Sequence, residues 1–162
     1  MKDCVYTGDQ WDKAYILAKK AHAGQVDKGG QPYFRHPLRV AQSFHDPKLR
    51  AAALLHDVLE DSELTVKSLL DAGIDVEIVE IVKILTRRSG ESYDQYINRV
   101  ALNAKATLIK LADLDHNMDL GRLPEPTEDD YRRLDKYRRA QVFLRSVQRQ
   151  RGYPHQKNSE TS

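Results

Sequence analysis

Residues 104–120 read Ala-Lys-Ala-Thr-Leu-Ile-Lys-Leu-Ala-Asp-Leu-Asp-His-Asn-Met-Asp-Leu. Wound at about 100° per residue, Ala106, Ile109, Asp113, Asn117 and Leu120 fall on one strip. The flank formed by Thr107, Leu111, Leu114 and Met118 is also mostly apolar. The pattern therefore predicts a buried helix with a carboxylate and an amide in core positions. A buried carboxylate is costly unless it is paired, hydrogen-bonded or bound to a cation. Taken alone, the strip fits either an aspartate that salt-bridges a neighbour or an aspartate that holds a metal.

A second stretch has the same character. Asp46-Pro47 opens a helix rich in Ala and Leu that is expected to run to about Asp61. On it Leu49, Ala53, His56 and Glu60 share a strip, with Asp57 and Asp61 on the neighbouring one and Leu54, Leu55, Val58 and Leu59 opposite. An amphipathic helix with a solvated polar face would show much of this. However, the His56/Glu60 strip continues an apolar stripe, which points the polar end inward.

The remainder of the chain also reads as helix. Asp9 is a candidate cap for a helix over Trp11, Tyr15 and Ala18, and Pro37 suits the first turn of another that ends near Phe44. Segments 65–72 and 75–86 follow, with Gly73 as a C-terminal cap and Asp75 as an N-cap. Ser92-Tyr93-Asp94-Gln95 matches a capping box, and Thr127 with acids at 128–130 opens a last helix to about Gln150. The segment 24–32 holds three glycines and a proline and predicts a loop. Period-two alternation is nowhere sustained, so no strand is predicted. The expectation is an all-α, compact multi-helix bundle forming a single domain over residues 1–152, with a disordered polar tail at 153–162. A length of 162 residues suits one domain with a sizeable core.

Composition removes several function classes. Lys plus Arg (26) nearly balances Asp plus Glu (24), too even for a bulk polyelectrolyte binder. The lone Cys4 excludes an internal disulfide framework and a Cys-rich zinc module. No apolar run approaches the ~18 residues needed to span a bilayer, and MKDCVYTGDQ has no signal-peptide core. No membrane association and a cytoplasmic location are expected. The charge is nevertheless polarised. Residues 54–80 carry eight acids and one lysine, whereas 132–151 carry eight basic residues and one acid.

His36 follows the glycine loop, His56-Asp57 is an adjacent pair, and Asp113 is a distant carboxylate. Two imidazoles and two carboxylates suit Mn, Fe or Zn better than Ca. One divalent ion would let Asp57 and Asp113 stay ionised inside a bundle and would lower the pKa of a water. Glu60 and Asp61 lie one turn away, near enough to orient that water or take its proton.

In this set the chain resembles the HD phosphohydrolase superfamily. It is more specifically similar to the (p)ppGpp hydrolases, namely RelA/SpoT-type hydrolase domains and small alarmone hydrolases. The matching text is Ala21-His22-Ala23-Gly24-Gln25, Lys28-Gly29-Gly30-Gln31-Pro32-Tyr33 with His36-Pro37, Ala53-Leu54-Leu55-His56-Asp57 with Glu60-Asp61, and Lys110-Leu111-Ala112-Asp113 with Asn117. The resemblance implies an HD-domain bundle in which Mn²⁺ is bound by His36, His56, Asp57 and Asp113, with Fe, Co or Zn as other divalent candidates. It implies Glu60 and Asp61 as catalytic acids. It also implies Lys28, Asn117 and the Arg133/Tyr137 pair as contacts to a small nucleotide substrate. The implied reaction is hydrolysis of a 3′-pyrophosphate, releasing pyrophosphate and a 5′-phosphorylated nucleoside.

The family usually has Arg-Lys in the glycine loop where this chain has Asp27-Lys28. Its arginine packs on guanine, so an acid there makes the adenine alarmone (p)ppApp a candidate beside (p)ppGpp. Asp115 stands where a basic residue is common, off the Asp113 strip. Other readings are a different HD nucleotide phosphatase, separable by its release of orthophosphate, and a non-catalytic nucleotide- or RNA-binding module using the basic last helix. Sequence-specific nucleic-acid binding is not expected, and the residues do not settle the oligomeric state. His22 is expected to fix the loop, and His116 to lie either on the surface or behind a metal ligand. Arg87-Arg88 are divided between phosphate contact and plain exposure, and Trp11 and Phe143 are expected in the core.

Overall fold

The computed structural model describes residues 8–152. The tail at 153–162 and the N-terminal residues with Cys4 lie outside the described residues. Among the described residues the helices are α1 (Asp9–Ala21), α2 (Arg35–Ala41), α3 (Pro47–Leu55), α4 (Val58–Asp61), α5 (Val66–Asp71), α6 (Val76–Leu85), α7 (Tyr93–Ala101), α8 (Ala104–Asn117) and α9 (Glu128–Gln150). A 3-10 turn spans Leu120–Arg122. The fold is all-α, as expected, and the one β feature among the described residues is an isolated bridge between Val26 and Pro32.

Two helices organise the bundle. In α3, Ala51, Ala52, Ala53, Leu54 and Leu55 are all 0% exposed, and α1, α2 and α6 pack around it. The three alanines have small side chains, which lets α1 and α2 approach its backbone closely. The second organiser, α8, buries Ala106, Ile109, Leu111 and Leu114 against α2, α6, α7 and α9. Capping chemistry sets several ends. Ser92 and Thr127 form reciprocal capping boxes with Gln95 and Asp130, and Gly73 ends α5 at φ +87°.

The structure corrects four expectations. The helix expected to run to Asp61 breaks at His56-Asp57 into α3 and α4. The Ala53 carbonyl, which a continuous helix would give to the Asp57 amide, accepts the His56 Nδ1–H at 2.6 Å and the His56 backbone N–H at 3.4 Å. The strip shared by His56 and Glu60 is therefore lost: His56 is buried while Glu60 is exposed. Gly8, not Asp9, is the N-cap of α1, and the Asp9 carboxylate accepts from Lys13 Nζ at 2.8 Å instead. Asp75 occupies the N-cap of α6 without a side-chain cap bond. Phe143 is 41% exposed on the outer face of α9, while Trp11 is half-buried under the Arg50 guanidinium.

Candidate metal centre

Three elements converge at the centre of the bundle. His36 enters from the first turn of α2, His56 and Asp57 from the α3–α4 break, and Asp113 from α8. The break aims two consecutive side chains at the same point. One ligand atom from each of His36, His56 and Asp57 lies within 4.8 Å of the others. Asp113 is not in that mutual triplet, yet its Oδ1 lies 2.8 Å from His36 Nε2 and 3.5 Å from His56 Nε2. Asp57 Oδ2 lies 3.1 Å from His56 Nε2 and 3.8 Å from His36 Nε2. The direct contacts to both imidazoles put Asp113 in the cluster.

The tautomer of His56 decides what the cluster can hold. Its Nδ1 must carry a proton, because its partner, the Ala53 carbonyl, can only accept. Nε2 is buried and makes no hydrogen bond of acceptable geometry, although two carboxylate oxygens face it. In the neutral ring, that lone pair points at anions. Only a cation resolves this, either a proton on Nε2 or a metal ion among the four groups. The electrostatics agree. Burial alone would depress His56, but Asp57 and Asp113 hold the imidazole well above its usual range. Burial likewise raises Asp57, yet His56 outweighs it and brings the carboxyl down to about 2. Two imidazole nitrogens and two carboxylate oxygens fit a borderline divalent ion.

Surrounding groups fix each member. Asp113 Oδ2 accepts from Lys110 Nζ at 2.7 Å, and its Oδ1 accepts from Asn117 Nδ2 at 2.8 Å. Burial raises the Asp113 carboxyl, but Lys110 more than offsets this, so it stays ionised well below the usual range. The Tyr33 hydroxyl donates to Asp57 Oδ2 at 2.6 Å, and burial with that carboxylate pushes the phenol far above its ordinary pKa. His36 Nδ1 shares a proton with His116 Nδ1 at 2.6 Å, the two rings stacked with centroids 4.9 Å apart. Such partners orient ligands and tune their basicity.

The other expected residues fall into two groups. Lys28, Asn117, Arg133 and Tyr137 line one cavity of about 370 Å³ with Tyr33 and His36. Lys28 is held at its edge by Asp130, 2.7 Å away. Glu60 and Asp61 are exposed on α4, next to the Asp57 break, and are not among the residues that line this cavity. The Glu60 carboxylate accepts from the Arg87 backbone N–H at 2.5 Å. Burial of part of each side chain and the Asp57 charge push both carboxyls upward. The Arg87 guanidinium donates to the Glu91 carbonyl, which commits it to its own loop. His22 bonds Gln25 at 2.8 Å, and Gln25 in turn bonds the Asp61 carbonyl at 2.7 Å, tying the glycine loop to α4. Asp115 accepts from Gln141 Nε2 at 2.5 Å and joins α8 to α9.

Sequence reasoning missed Lys110, Tyr33 and Lys136. Lys110 had a legible signal, a lysine three residues before Asp113 in an apolar helix. Tyr33 had none, because its contact spans 24 residues across a loop. Lys136 looked like one of several solvated cations. In the structure its ammonium lies 4.5 Å from the Tyr93 ring centroid and 5.3 Å from that of Tyr137. Burial, and behind it the charges of Arg133, Arg87 and Lys110, lowers its pKa.

The fold is thus an all-α bundle that buries two histidines and two carboxylates together, with His36 of that cluster also lining the cavity that holds Lys28 and Arg133. The chain belongs to the HD domain family, whose sequence profile matches residues 14–106. It is similar to the bifunctional (p)ppGpp synthase/hydrolase SpoT of Escherichia coli K12, at 36% identity over 120 residues, covering 65% of this chain and 17% of SpoT. The guanosine-3′,5′-bis(diphosphate) 3′-pyrophosphohydrolase of Haemophilus influenzae is 38% identical over 117 residues, covering 64% of this chain and 17% of that protein. The chain thus spans about a sixth of the curated relatives it matches. A solved structure described as a metazoan ortholog of SpoT that hydrolyses ppGpp superposes with a TM-score of 0.68 at 22% identity, covering 92% of this chain and 99% of that one. That likeness shows the fold.

Proposed function

We propose that this chain is a divalent-metal-dependent alarmone 3′-pyrophosphohydrolase, with Mn²⁺ as its first candidate ion, acting on (p)ppGpp or (p)ppApp in the cytoplasm. The observation that carries the reading is the His36/His56/Asp57/Asp113 cluster, whose His36 also lines the cavity shared by Lys28, Asn117, Arg133 and Tyr137. The names of the SpoT-type relatives supply the substrate class. When bound, a divalent ion supplies Lewis acidity, acidifying a water and drawing charge from the phosphoryl group. The chain's own residues do the rest. His56 presents Nε2 because Ala53 holds its Nδ1–H, and Lys110 and Asn117 keep Asp113 ionised and oriented. Tyr33 holds Asp57 in place. Glu60 and Asp61, exposed on α4 beside Asp57 and with raised pKa values, orient the attacking water and accept its proton. Arg133 and Lys136 offset charge on the departing pyrophosphate.

The base remains a choice between two alarmones. Asp27, where the family carries arginine, accepts from the Gln31 amide at 2.9 Å and lies 3.8 Å from the Arg122 guanidinium. It therefore offers no free cation from the loop itself, which favours keeping adenine as a second reading. The test is incubation with ppGpp and ppApp, with Mn²⁺ or with chelator, followed by product identification. The expected result is metal-dependent pyrophosphate with a 5′-phosphorylated nucleoside. Orthophosphate as the product, or no turnover of either nucleotide, would overturn it.

A further inference from the structure

A second cavity, of about 440 Å³, is also lined by His36. One wall is a single face of α2, where Arg35, Arg39 and Gln42 follow at i, i+4 and i+7. The facing wall is His116 from α8 and Arg122 from the 3-10 turn. Three guanidinium groups therefore meet one acid, Asp27, among the described residues that line it. Asp27 is already engaged with the Gln31 amide and Arg122. Arg35 is steadied by Gln31 Oε1 at 2.8 Å. The Arg39 guanidinium makes no ion pair or hydrogen bond with any described residue, and Arg122 Nε is buried without a partner. The turn bearing Arg122 is pinned against the loop at Gly29, where a Cβ would sit 2.7 Å from the Arg122 carbonyl oxygen.

Three guanidinium groups lining one cavity with a single acid among them call for an oxyanion with several acceptor oxygens, and phosphate matches their forked geometry. His36, Asp27 and Arg122 line both cavities, so the two spaces adjoin. We propose that this basic annex is a phosphate-binding subsite next to the metal cleft. It takes either the 5′-phosphates of a bound nucleotide or a free inorganic phosphate or pyrophosphate. The nucleotide arm rests on the function proposed above, and the free-anion arm does not.

The test compares the Mn²⁺-loaded chain with its Arg35→Gln/Arg39→Gln variant. Both positions are exposed on α2 and glutamine keeps helix propensity, so folding should be unaffected. Calorimetric titration with inorganic pyrophosphate is read alongside KM for a 3′-pyrophosphorylated nucleoside with and without a 5′-diphosphate. A KM raised roughly 10-fold only for the 5′-diphosphorylated substrate assigns the annex to the nucleotide. Pyrophosphate affinity weakened by a similar factor with both KM values unchanged assigns it to a free anion. Pyrophosphate affinity within about twofold of the parent protein, with KM values unchanged or no turnover to measure, overturns the subsite.

Discussion

His56 is the residue on which the chemistry turns. Its Nδ1–H is spent on Ala53, so its Nε2 lone pair must meet a cation, and the cost of two carboxylates facing a buried ring is offset only by one. Glu60 is the complementary case, an exposed carboxylate on α4 that under the proposed function serves the water and not the ion. Glu60→Gln should therefore leave metal affinity within about twofold while lowering kcat roughly 100-fold or more. Steady-state kinetics beside a metal titration reads both, and unchanged turnover would remove Glu60 from the reaction. At this scale much is legible in the amino-acid sequence itself. His56 and Asp113 stand out because they are ionisable groups on apolar strips, and His36 and Asp57 because they complete a mixed imidazole and carboxylate set with them. Tyr33 does not, since a tyrosine near a glycine loop carries no pattern that reveals its distant carboxylate partner.

Among the elements, helix starts are the most readable, because a capping box is written in four consecutive residues. Ser92 and Thr127 are the cases here. The α3–α4 break is unreadable for the opposite reason: a side chain–backbone bond from His56 overrides a helical pattern that runs unbroken in the letters. The α6–α7 connection carries a pH signature. Arg99 bonds both Glu91 carboxylate oxygens and the Ile84 and Thr86 carbonyls. Those bonds, Arg99 first, depress the Glu91 carboxyl from 4.5 to about 2. A depressed carboxylate stabilises the fold above its unfolded pKa, and that contribution is lost as pH falls from about 4.5 through about 2. Acid unfolding of the parent chain should therefore lose stability across that window more steeply than Glu91→Gln. Identical acid limbs in the two proteins would contradict it.

For the molecule as a whole, the near-neutral charge conceals an acidic segment and a basic last helix. The bundle brings Arg133 of α9 to the cavity and Lys136 over the Tyr93 and Tyr137 rings, while leaving Arg132 and Arg139 paired on the surface with Glu128 and Asp135. No helix among the described residues is long and apolar enough to cross a membrane. The fold gathers side chains from α2, the α3–α4 break and α8 around one point, and the proposal that they hold a divalent ion is most directly tested by metal. Chelator-stripped protein should be titrated with Mn²⁺ while its thermal midpoint is followed, beside Asp113→Asn. A ligand that binds only the folded state raises the midpoint in proportion to the logarithm of its concentration. The parent chain should show a rise that corresponds to one ion per chain, and Asp113→Asn should need roughly 10- to 100-fold more metal for the same rise. A parent midpoint indifferent to Mn²⁺, Fe²⁺, Co²⁺ and Zn²⁺ alike would contradict the account.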